Sequence, residues 1–97
     1  MVYLALEPKA ASEAIRIATS TGSSVWVGSD AITEEEHKRL YSAGLSVTRF
    51  SYPLSDATPE VIDDALETIG EHHPSELIWV QYIWQPPPDY PASGTQI

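Results

Sequence analysis

The sequence predicts a small α/β domain of order βαβαβαβ, built on a mainly parallel four-stranded sheet. Three observations predict it. Short apolar runs alternate with stretches in which apolar residues recur every three or four positions. The second and third helical stretches open on a capping threonine, and the first and third on a proline. The chain has 97 residues and no cysteine, so it is read as one domain whose core must come from packing alone.

Val2 to Leu6 reads as the first strand. Pro8 suits the first position of a helix, because its missing N–H is unpaired there anyway. Ala11, Ala14, Ile15 and Ala18 carry that helix's apolar face, and Gly22 stands where a left-handed terminator is expected. Ser24 to Val27 is the second strand, closed by Gly28-Ser29-Asp30. Thr33 and Glu36 form a capping-box pattern, so the second helix starts near Glu34 and ends at Gly44. Glu34–Lys38 and Glu35–Arg39 are spaced to pair along it. Leu45 to Phe50 alternates, as a half-exposed or edge strand does. Thr58 caps a third helix with Pro59 at its first position, running to about His72. Leu77 to Trp84 is the fourth strand.

The apolar first and second strands suit coverage on both faces. That favours the spatial order 3-2-1-4, half-Rossmann-like, with right-handed crossovers and helices on both faces. The order 2-1-3-4 is the second choice. In the favoured order the fourth strand is an edge, and "LIWVQYIW" is apolar for one. A homodimer through residues 77–84, or a tail folded over them, is expected. The domain is expected over residues 1–84, with 85–97 as a Pro-rich flexible tail.

Net charge is −9, unevenly spread. Residues 1–49 hold six acids and five bases; residues 50–97 hold eight acids and no base. Such a field repels phosphate and anionic lipid and attracts basic partners. Direct nucleic-acid binding is not expected, since it rests on Lys and Arg. The opening residues have neither the charged start of a signal peptide nor the ~20 apolar residues of a membrane span. The expected setting is cytoplasmic.

Ligands of open parallel sheets bind beyond the carboxyl ends of the strands. Glu7, Lys9 and Asp30 are the candidates there, with Asp56 nearby. The first turn, Glu7-Pro8-Lys9, lacks the glycines a dinucleotide needs, and no phosphate-binding loop follows any strand. "VYLALEPKAASEAI" and "VWVGSDAITEEE" resemble, over about 30 residues, the metal-binding segments of the Toprim nuclease and primase domain. That resemblance implies a half-Rossmann domain with Mg²⁺ held by Glu7 and Asp30. The family's second aspartate is Ile32 here, and its glycine is Pro8. The ligand set is therefore short, and no metal or cofactor is expected. His37 follows three glutamates on an exposed helix face. His72 and His73 point about 100° apart at a helix end, where they suit the surface better than one metal. No nucleophile–base spacing is recognisable, so no catalytic residue is assigned. Trp26 and Trp79 lie inside strands and are expected in the core. Trp84, beside three prolines, is a candidate partner contact.

The third helix carries the strongest feature. At 100° per residue, Glu60, Asp63, Asp64, Glu67 and Glu71 fall in one arc, opposite Val61, Ile62, Ala65, Leu66 and Ile69. Asp56 and Glu76 extend the anionic surface, and Asp89 lies beyond. Rows of carboxylates on a rigid helix can imitate nucleic-acid phosphates. The expected function is a non-enzymatic binding protein that docks a basic, nucleic-acid-binding surface of a partner. It would inhibit or regulate that partner, by analogy with Barstar-type nuclease inhibitors and phage anti-defence proteins. The expected contacts are Asp56, Glu60, Asp63, Asp64, Glu67, Glu71 and Trp84.

Overall fold

β1 (Val2–Ala5) and β2 (Ser24–Val27) form the centre of a parallel sheet in a computed structural model that describes residues 1–81. β3 (Val47–Arg49) flanks β2, and β4 (Ile78–Val80) flanks β1, so the order is 3-2-1-4. Tyr3 lies opposite Val25 on one side and Trp79 on the other. The favoured order is thus the observed one, and every strand pair is parallel.

Three helices connect the strands: α1 (Pro8–Thr21), α2 (Glu34–Ser42) and α3 (Pro59–His72). The side-chain period of two splits the core across the sheet. Ala5, Val25, Val27 and Val47 pack against Ala11, Ala14 and Ala18 of α1 and Leu40 of α2. Val2, Leu4 and Trp26 face the other way, against Ala65 and Ile69 of α3 and against Phe50 and Leu54. The alanine face of α1 lets its backbone lie close to the sheet. Helices on both faces follow from the strand order. The rule that parallel crossovers are right-handed puts α1 and α2 on one face and α3, on the return from β3 to β4, on the other, which is where the two core clusters place them.

The threonine and glycine caps are those the residues predict, but the reciprocal half of the Thr33–Glu36 capping box is not formed. Thr58 and Thr33 accept from the Val61 and Glu36 amides, and α1 ends at Gly22 with φ of 76°. The helix pairs differ from expectation. Arg39 reaches Glu36, three residues back at 3.5 Å, in place of the Glu34–Lys38 and Glu35–Arg39 spacings. The Glu36 carboxylate accepts from the Arg39 guanidinium and leaves Thr33 to cap alone.

Two apolar expectations are corrected. Trp26 is buried, but Trp79 is 55% exposed, because it lies on β4, where α1 covers β1 and β2 and stops short of the edge. Leu77 and Val80 are exposed beside it. The assigned strand is three residues, shorter than the predicted 77–84; positions 82–84 and the predicted tail lie outside the described residues. No helix among the described residues is long and apolar enough to cross a membrane.

One contact controls the route from β3 to α3. The segment after Phe50 crosses the carboxyl ends of the central strands, and Leu54, 1% exposed, lies on Gly28. A Cβ at residue 28 would stand 2.8 Å from the Leu54 nitrogen and 2.9 Å from its Cβ. Gly28→Ala should therefore cost about 1–3 kcal/mol, since backbone must move. Gly70, inside α3 with open space around it, is the control. Gly70→Ala should stabilise by about 0.5–1 kcal/mol. Urea unfolding of both variants measures the contrast; equal effects would refute the close-approach account.

Candidate functional site

The carboxyl edge of the sheet, one of the two regions singled out, is occupied by the protein's own groups. Asp30 Oδ1 accepts from the Leu54 amide at 3.1 Å, and Oδ2 accepts from the Ser55 hydroxyl. Tyr52 O accepts from the Ser29 amide at 3.0 Å. The loop carrying Leu54 is thus tied down at three points. Arg49 also turns inward, donating to Ile32 O at 2.9 Å and Ser29 O at 2.8 Å. At the other end, Gln81 follows β4. Its Oε1 accepts from the Leu6 and Glu7 amides at 2.6 and 3.0 Å, and its Nε2 donates to Glu7 Oε1 at 2.8 Å. Lys9 is exposed.

Glu7 and Asp30 therefore engage different elements, Gln81 and the Leu54 loop. Among the described residues, no group of three or more His, Asp or Glu could hold a metal ion. Gln81 was not singled out by the sequence. A glutamine in an apolar run carries no signal until β4 is known to pair with β1.

The acidic face lies on the other region singled out. Glu60, Asp63, Asp64, Glu67 and Glu71 are all exposed, and among the described residues none pairs with a cation. Ala65 and Ile69 are fully buried beneath them, and Val61, Ile62 and Leu66 are half-buried. The stripe is thus presented by a helix anchored along its length. Asp56 is exposed in the loop before it. Glu76 does not extend the stripe. Its carboxylate takes the Met1 ammonium at 2.6 Å and His73 Nδ1 at 2.8 Å, and these hydrogen bonds, the ammonium's first, hold it below the ordinary glutamate range. Trp84 and Asp89 lie outside the described residues.

A groove of about 590 Å³ runs between the Leu54 loop and the start of α3. Tyr52, Pro53, Ala57 and Val61 form its apolar walls, and Asp56 and Asp64 line it with them. Tyr52 is fixed by Phe50 at 5.2 Å between ring centroids, and Phe50 by Trp26 at 5.3 Å.

His72 is exposed as expected, but His37 and His73 are more engaged than a surface reading allows. His37 Nε2 bonds Val47 O at 2.8 Å and is half-buried, tying α2 to β3. His73 Nε2 accepts from the Trp26 indole at 3.4 Å while Nδ1 faces Glu76. In this geometry the ring carries its proton on Nδ1. His72 leans on Trp26 at 5.4 Å.

The Asp30 clamp predicts a pH dependence. Partial burial pushes this carboxyl up, but hydrogen bonds from Ser55, Leu54 and the local amides outweigh it and hold it below the ordinary aspartate range. A lowered folded value means that the clamp's stabilisation is present at neutral pH. It is lost as pH falls through that folded value. Asp30→Asn should cost about 1–2 kcal/mol at pH 7, with the gap to wild type closing as pH falls toward 2. Urea melts across that range measure it; a constant gap would assign Asp30 a role of shape alone. Comparison with protein families, curated proteins and solved structures finds no match for this chain.

Proposed function

We propose that this chain is a small acidic binding protein, working in the cytoplasm, that docks a basic surface of a partner protein and thereby inhibits or regulates it. One observation carries the reading. Five carboxylates stand exposed along α3 with no cationic partner among the described residues. On the other two helices some acids are paired, Glu13 with Arg16 and Glu36 with Arg39, while among the described residues Glu34 and Glu35 have no ion-pair partner.

The energetics sharpen the point. Five pairs on α3 (60–63, 60–64, 63–67, 64–67 and 67–71) set like charges three or four residues apart. Each costs about 0.2–0.5 kcal/mol at low salt. Glu60 and Asp63 recover part of this from the helix N-terminus; Glu67 and Glu71 are too far along. A basic partner relieves the repulsion upon docking. The long-range field also speeds encounter, in a salt-dependent way. A partner that binds nucleic acid suits the row, since its groove is built for a line of negative charge.

The carboxyl-edge alternative, a ligand- or Mg²⁺-binding half-Rossmann domain, has less support. Glu7 and Asp30 are held by Gln81 and by the Leu54 loop.

Two outcomes follow. Asp63→Lys with Glu67→Lys should abolish capture of a basic, nucleic-acid-binding partner from host lysate. Wild type should retain that partner and release it on a salt gradient. Capture of the same partner by both proteins would sink the acidic-face reading. Glu67→Lys alone removes three repulsive contacts, so it should stabilise the fold by about 0.6–1.5 kcal/mol at low salt. Thermal melts at low and high salt measure this; a destabilised variant would mean that Glu67 makes a favourable contact within the fold.

A further inference from the structure

We infer that the groove at the start of α3 receives an arginine side chain of the basic partner; this rests on the docking reading above and names its anchor. The walls are apolar: Tyr52, Pro53, Ala57 and Val61. The charges that line it are all negative, from Asp30, Asp56 and Asp64. An anionic ligand is disfavoured there, and an uncharged apolar one would leave the carboxylates unanswered. The volume, about 590 Å³, falls within the ~300–1,000 Å³ range of ligand-binding clefts, so a side chain enters it with room to spare.

Arginine fits this combination better than lysine. Its guanidinium is planar, weakly hydrated and able to stack on an aromatic ring while its edge donates to carboxylates. Tyr52 supplies the ring. The Tyr52–Phe50–Trp26 stack roots it in the core, so little side-chain entropy is lost on binding. Asp56 and Asp64 supply the acceptors. Among the described residues neither carboxylate receives a hydrogen bond, whereas both oxygens of Asp30 already do. Asp30 therefore adds charge to the site and holds its floor in place. A lysine would find the charge but neither the stacking nor the fork.

The test is a titration of the full ¹⁵N-labelled chain with N-acetyl-arginine methylamide, and with the lysine and citrulline analogues. The expected result is saturable shifts confined to the amides of Asp30 and of residues 52–64, with arginine binding more tightly than lysine and citrulline not binding. Asp56→Asn with Asp64→Asn should weaken arginine at least about tenfold, as loss of charged hydrogen-bond partners does. Tyr52→Leu should erase the arginine-over-lysine preference. Shifts spread along the stripe through Glu67 and Glu71, or equal response to arginine and lysine, would overturn the inference. The docking reading is judged separately. Asp63→Lys/Glu67→Lys leaves the groove-lining residues unchanged, so loss of capture by that variant with full capture by Asp56→Asn/Asp64→Asn keeps the stripe and discards the groove.

Discussion

The close approach of Leu54 to Gly28 is the constraint on which the rest of this structure depends. The strand order 3-2-1-4 requires the chain to leave one edge of the sheet and return at the other. The connection must cross the carboxyl ends of the central strands before α3 can cover the second face. Gly28 makes room for that crossing, and Asp30 fastens it through Leu54 and Ser55. The crossing also takes the space in which open α/β sheets ordinarily hold ligands. One local packing decision thus sets α3 in place and fills part of the edge at which open α/β sheets hold ligands.

What α3 then presents is a division of labour across a single helix. Its inner side contributes Ala65 and Ile69 to a core shared with Val2, Leu4 and Trp26. Its outer side concentrates like charge at a cost to stability. The helix tolerates this because both ends are held. Thr58 caps the start, and at the finish His73 accepts from Trp26 while its other nitrogen meets Glu76. The aromatic stack from Trp26 to Tyr52 carries the same anchorage to the groove wall.

Helix positions were legible in the sequence because caps and terminators act over three or four residues. Thr33, Thr58, Pro8, Pro59 and Gly22 mark helix ends through their own backbone chemistry, whatever surrounds them. The acidic arc was legible for the same reason, since the helix period alone puts those residues on one side. Trp79 was misread because strand pattern reports that a residue faces a sheet surface, not whether a helix covers it there. Gln81, His37 and His73 were missed as structural residues. Their partners, the Leu6 and Glu7 amides, Val47 O and Trp26, lie ten to about seventy-five residues away.

By itself, then, the sequence determined the element order, the favoured strand order, the caps and the one-sided charge of α3. These follow from local backbone preferences, side-chain periodicity and the rule that parallel crossovers are right-handed. Tertiary structure alone decided which carboxylates are engaged by other groups among the described residues. Glu7, Asp30 and Glu76 look no different in sequence from Asp56 and Asp64, yet the first three are bound within the chain. A carboxylate's availability depends on which donors reach it through space, and that is settled only when distant segments pack.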